Sequence, residues 1–74
     1  MMEKYVPMVR KALEKITPHY KNQKEFEVIL ENAELYIEQA EIFFKEGKDE
    51  NAILSIGYAD GLVDALRLAK GLEY

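Results

Sequence analysis

Asp60 and Asp64 stand four residues apart, Arg67 follows three residues later, and Gly57 and Gly61 repeat the four-residue step. Paired carboxylates can divide the roles of acid and base when their surroundings push the two pKa values apart. Any acidic helix offers such pairs, so the spacing alone is a weak sign of catalysis. Nucleophilic chemistry needs a nucleophile, a base and a group that orients the base. The hydroxyls on offer are Ser55, Thr17 and the tyrosines, and the single imidazole, His19, falls where a loop is expected. A carboxylate-bridged metal centre could draw on Glu27, Glu31, Glu34, Glu38 and Glu41. Bundles of that kind place Glu-x-x-His motifs on facing helices, and no such motif occurs here. No glycine-rich phosphate loop follows a strand. The expectation is a protein that is not an enzyme, with no catalytic residue, no metal ligand and no cofactor.

The elements that carry these residues read as three helices. Tyr5, Val6, Val9, Ala12, Leu13 and Ile16 recur at three- and four-residue steps, which predicts a first helix from about Glu3 to Ile16. Pro7 sits in the opening turns, where a missing amide proton matters least, and Thr17-Pro18 stops the helix. The second helix is expected to begin between Pro18 and Lys24. Thr17 could cap it with Pro18 in the first position, or Asn22 could cap it with Glu25 reaching back as a capping box, which is the preferred reading. It runs to Glu46, where Gly47 supplies a left-handed stop. Its main apolar stripe is Phe26, Ile29, Leu30, Ala33, Tyr36, Ile37, Ala40, Phe43 and Phe44. The third helix is expected to be capped by Asp49 and to run to about Lys70, with Gly71 after it. The turn Gly47-Lys48-Asp49 is short enough to force an antiparallel hairpin. The predicted fold class is all-α, one domain over residues 1–74, an antiparallel three-helix bundle with a short first helix and two long ones.

Three surfaces need a reason. Val28, Leu35 and Ile42 are spaced by seven and lie roughly opposite the main stripe of the second helix. Either the first helix leans over them or they form a ridge for a partner or a second copy, since contiguous exposed apolar surface marks interfaces. The acidic stripe beside them repels itself by a few tenths of a kcal/mol per pair, and Lys45 relieves only Glu41. A solvated face is expected there, with a docking face for a basic partner as the alternative. On the third helix, Gly57, Asp60, Gly61, Asp64 and Arg67 share one side, while apolar residues from Leu54 through Tyr58, Ala59, Leu62, Val63 and Ala65 to Leu66 cover about 200° of the wheel. Each helical glycine costs about 0.5–1 kcal/mol relative to alanine, so close approach of another backbone is expected. Tight packing inside the bundle is the favoured source, and a pocket or partner site around Gly57, Gly61 and Asp64 the other. Asp64 and Arg67 then form a surface pair of little energetic worth.

Composition narrows the partners. The net charge of the 74 residues is −4, which repels nucleic-acid phosphates and anionic lipid, and the ten Lys and Arg are dispersed. Neither nucleic acid nor membrane is expected to bind. There is no cysteine, so no disulfide is available, in keeping with a reducing compartment. Met1-Met2-Glu3-Lys4 leads straight into a helix pattern without a signal-peptide profile, and a cytoplasmic protein is expected. Charged residues make up 32%, mostly Glu and Lys, a balance that leans towards a thermophile. A chain this short buries only about 60% of its unfolded surface, so partners have much to add. The functional expectation is a protein–protein interaction or self-association module, such as a homodimer, with the ridge Val28, Leu35 and Ile42 and the face Gly57, Gly61 and Asp64 as its candidate contacts. The alternative is a small-ligand-binding or accessory enzyme subunit using Gly57, Asp60, Gly61, Asp64 and Arg67.

The run Ala40-Glu41-Ile42-Phe43-Phe44-Lys45-Glu46-Gly47-Lys48-Asp49-Glu50-Asn51-Ala52, with Tyr58-Ala59-Asp60-Gly61-Leu62-Val63-Asp64-Ala65 after it, resembles the archaeal family called "domain of unknown function 357". The family's Tyr-Ala-x-Gly-x-x-Asp-Ala signature falls on Tyr58, Ala59, Gly61, Asp64 and Ala65. Lys11 to Ile16 and Pro18 are similar as well, so the resemblance covers nearly the whole chain. Leu62 stands where many members carry an aromatic, and Leu66 where many carry a glycine. The resemblance implies a small three-helix fold and an archaeal cytoplasmic source, with no established activity. Relatives joined to nucleotidyltransferase-like domains imply an accessory role as the alternative. The same stretch resembles half of a tetratricopeptide unit, but an array needs at least about three units of ~34 residues.

Overall fold

Each helix forms where the apolar period of about 3.6 residues is unbroken, and stops where the backbone is forced out of it. The structure, a computed structural model, describes residues 4–72. Helix α1 spans Tyr5–Ile16, α2 spans Glu27–Lys45 and α3 spans Asp49–Ala69. Among the described residues there is no strand. Two 3₁₀ turns, Thr17–Tyr20 and Lys24–Phe26, join α1 to α2. Glu3, the predicted start of α1, lies outside the described residues.

Both glycine stops are in place. Gly47 has φ +75° and Gly71 has φ +67°, the left-handed conformation that costs glycine least. At each, two amides turn back onto the last turn. Lys48 N–H reaches Phe43 O at 2.8 Å and Gly47 N–H reaches Phe44 O at 3.2 Å; Leu72 N–H reaches Arg67 O at 3.1 Å and Gly71 N–H reaches Leu68 O at 3.0 Å. This pairing closes the orphan carbonyls in a Schellman motif.

The predicted helix starts need correction. α2 begins at Glu27 behind Phe26, which offers no side-chain cap. Asn22 has φ +72°, a turn conformation that an N-cap, which needs extended backbone, does not take. Thr17 is no cap either, because its hydroxyl donates to Leu13 O at 2.6 Å. The link instead folds around Tyr20, a buried residue whose hydroxyl donates to Leu66 O. Phe26 stands beside that ring, with centroids 4.7 Å apart, and Lys70 Nζ lies 4.9 Å from the ring centre. Burying a large apolar side chain gains roughly 1.5–3 kcal/mol, more than the ~1 kcal/mol a cap supplies, so the plug sets the path of the link. Asp49 is likewise the first residue of α3 rather than its cap, which is Lys48. It shares the first turn with Glu50, where negative charge suits the helix dipole.

Helix directions follow from the side-chain pairs. Tyr36 stacks on Tyr58 at 4.5 Å and Ser55 donates to Gln39 at 3.3 Å, so α2 and α3 run in opposite directions. α1 lies across both. Val6, Val9, Leu13 and Ile16 are buried against Ala33, Ile37 and Ala40 of α2 and Ile56, Ala59, Val63 and Leu66 of α3. Alanines on α2 and α3 bring the long helices close, and branched side chains fill the space beneath α1.

Candidate functional site

Polar chemistry in this fold is largely used up in holding helices together. Ser55 is buried with its hydroxyl on Gln39, and Thr17 is tied to its own helix. His19 is exposed in the 3₁₀ turn. Among the described residues no group of three or more His, Asp or Glu is placed to hold a metal ion, and no helix is long and apolar enough to cross a membrane.

The acidic stripe of α2 is divided in two. Arg10 of α1 reaches over with both arms of its guanidinium, Nη1 to Glu34 and Nη2 to Glu41, each at 3.0 Å. Burial works against the Arg10 charge, and the hydrogen bond to Glu34 with the two carboxylates outweighs it, so the guanidinium pKa is raised. Glu41 is therefore paired with Arg10 rather than with Lys45. The sequence pattern did not single out Arg10. Its signal was that α1 carries one Arg among its Lys residues, and only a planar fork spans two acids. Glu27, Glu31 and Glu38 lie further round α2 and form no ion pair among the described residues.

Next to those three acids runs the ridge. Val28, Leu35 and Ile42 are 64%, 57% and 54% exposed. α1 does not lean over them. They point away from Ala33, Ile37 and Ala40, and Asn32 and Gln39 border them on the far side. Beside Leu35 a groove of about 430 Å³ opens between the end of α1 and α2, with Leu13 and Leu30 in its wall and Glu31, Glu34 and Glu38 at its rim.

The third surface is the outer side of α3. The expected tight packing at its glycines is not found: a Cβ at Gly57 or at Gly61 would meet nothing within 4 Å. Both are exposed, because α1 and α2 cover the opposite side, where Ala52, Ser55, Ile56, Ala59, Val63 and Leu66 are buried. Leu54 and Leu68, 75% and 66% exposed, flank the glycines along the same strip, with Ala65 between. Asp60 and Asp64 sit on the edge towards α1, in a second groove of about 350 Å³ that also touches Met8, Lys11 and Lys15. Burial, then the neighbouring Asp64 carboxylate, raise the Asp60 pKa, and Arg67 pulls it back. Arg67 contacts Asp64 at 3.7 Å and donates to Leu72 O at 3.0 Å. The candidate residues Gly57, Asp60, Gly61, Asp64 and Arg67 are thus separated into an open glycine strip and a charged edge.

The fold and these faces define a small all-α three-helix bundle whose long helices carry apolar residues on their outer sides. The chain belongs to the family described as "Protein of unknown function (DUF357)", whose model matches residues 4–72. No match to the chain is found among curated proteins or solved structures.

Proposed function

We propose that this chain is a protein–protein interaction module that self-associates through the outer strip of α3. The observation that carries the reading is the order Leu54, Gly57, Gly61, Ala65, Leu68. Its steps of three, four, four and three residues are symmetric about Gly61. A two-fold dimer must present the same patch twice, with residue i meeting j and j meeting i. Turned end over end about Gly61, Leu54 faces Leu68 of the copy, Gly57 faces Ala65, and Gly61 faces itself. Glycines that nothing in the chain itself fills would then let two backbones approach, which explains the stability they give up. The strip spans about 21 Å at 1.5 Å per residue. A contact along one helix buries less than the roughly 1,200 Å² of a standard interface, so the dimer belongs to the weaker, concentration-dependent class. An acidic, cysteine-free chain of this kind fits the cytoplasm.

Sedimentation equilibrium over a wide concentration range is the test. The natural chain should move from its 8.6 kDa mass towards twice that mass as concentration rises, and Gly61→Leu should stay at the monomer mass throughout. Because Gly61 is exposed and a Cβ there meets nothing within 4 Å, the fold should be retained, which circular dichroism checks. A natural chain that is monomeric at every concentration, or a Gly61→Leu chain that still doubles, refutes the reading.

The charged groove of Lys11, Lys15, Asp60 and Asp64 favours a second reading, a small-ligand or accessory-subunit role. A thermal-shift screen with nucleotides and metal ions should then give a shift that Asp64→Ala removes; no shift, or one that survives the change, counts against it.

A further inference from the structure

We propose that the outer face of α2 docks a basic amphipathic helix of a different protein, with Leu35 and its adjoining groove taking one apolar side chain of that helix and Glu27, Glu31 and Glu38 its cations. The face has the layout of one side of a coiled-coil seam. Val28, Leu35 and Ile42 repeat every seven residues, as one line of seam positions does. Carboxylates border the line on one side and the amides of Asn32 and Gln39 border it on the other. The groove by Leu35 gives the line depth, since Leu13 and Leu30 supply apolar walls below the carboxylate rim.

Charge decides the occupant. Arg10 neutralises Glu34 and Glu41 on the side towards α1. On α2 the acids that form no ion pair among the described residues are Glu27, Glu31 and Glu38, the three beside the ridge. An occupant that covers the ridge excludes water from those carboxylates, and bringing its own Lys or Arg offsets the desolvation. A second copy is a poor occupant through its own α2, because that sets carboxylate against carboxylate in a chain of net charge −4. It is also poor through its α1. That helix is 12 residues long and exposes Lys11 and Lys15, with Tyr5 and Met8 as its exposed large apolar side chains; those two stand only three residues apart, whereas the ridge has three apolar points over about 21 Å. A foreign helix of about four turns, with apolar residues every seven and cations beside them, meets each requirement, in the manner of helices that lie in apolar grooves.

The probe is a synthetic peptide of about 18 residues with leucine at seven-residue steps and lysine at the flanking positions, titrated by fluorescence anisotropy against the full chain. Its expected binding weakens as salt rises. A peptide with glutamate in place of lysine, and a scrambled peptide of the same composition, should each bind at least about tenfold more weakly. Leu35→Glu in the chain should weaken binding of the lysine peptide by about tenfold or more. Glu31→Gln with Glu38→Gln should do so less, and should flatten the salt dependence. All three positions are exposed, so folding is retained, which circular dichroism checks. Gly61→Leu, which addresses self-association, should leave peptide binding unchanged. Equal binding of the lysine and scrambled peptides, an affinity indifferent to Leu35→Glu, or loss of binding in Gly61→Leu would each overturn the proposal. The last outcome would place the peptide on the α3 strip while leaving the dimer reading standing.

Discussion

The two long helices are equally apolar on average but turn different surfaces outward. α2 shows branched side chains at seven-residue steps beside three carboxylates that form no ion pair among the described residues. α3 shows a smooth strip, two glycines and an alanine between two leucines, with Asp60 and Asp64 along one edge. A smooth uncharged strip lets an identical strip approach closely and brings no like charges together at its centre. A ridge with a carboxylate border resists its own copy and favours a cationic partner. Both helices meet the same core, so the contrast arises wholly from residues that the core does not use. Amphipathicity alone, which both helices share, does not tell one kind of contact from the other.

Crossing the two variants puts the greatest strain on this contrast. Gly61→Leu is expected to abolish self-association and spare peptide binding, and Leu35→Glu to do the reverse, each read by sedimentation and by anisotropy on the same samples. If either change disturbs both readouts, the faces are one surface. Arg10→Ala sharpens the electrostatic half. It should lower stability in urea unfolding by up to about 1 kcal/mol, because both of its ion pairs are partly exposed. It should also tighten binding of the lysine peptide at low salt, since Glu34 and Glu41 lose their counter-charge. Gly57→Ala sharpens the other half. With open space at the new Cβ, the monomer should gain about 0.5–1 kcal/mol, while the monomer–dimer equilibrium shifts towards monomer. No gain would mean that the glycine is held by something inside the chain.

The smallest effect concerns the acidic edge of α3. Burial and Asp64 raise the Asp60 pKa in the folded chain. The folded state then binds that proton more tightly than the unfolded state, so this contribution to stability falls as pH rises from the unfolded value through the raised folded one. Asp60→Asn should remove that slope and be neutral to slightly stabilising at neutral pH. Urea midpoints measured across the acid range check it, and an unchanged slope would show that Asp60 does not cause it.

Some of this was legible in the residues. The stripe of α1 pointed to Val6, Val9, Leu13 and Ile16, all buried, and to Ala12, partly buried, while Tyr5 at its start is left exposed; what covers the first turn is not a local property, but a helical period is. The same holds for Gly47 and Gly71. The start of α2 was misread because Asn22 and Glu25 offer a sound local capping box, and nothing nearby reveals that Tyr20 will be drawn under Leu66, 46 residues away. The glycines of α3 were legible as a cost but not in their placement, and the structure reversed the expected cause by leaving them open. Arg10 was hidden for a related reason. Its partners are 24 and 31 residues away, and only the lie of α1 across α2 brings them within reach.

What the sequence determined by itself was the set of three helices, the glycine-defined ends of the second and third, and the hairpin, since each rests on backbone preferences and side chains a few residues apart. What the tertiary structure decided was which apolar residues were spent. α2 carries two greasy stripes, either of which satisfies the helical period. The Ala33–Ile37–Ala40 side became core because α1 and α3 could approach it closely. Val28, Leu35 and Ile42 were left outside because burial depends on what a neighbour covers, and a short first helix can cover only one side.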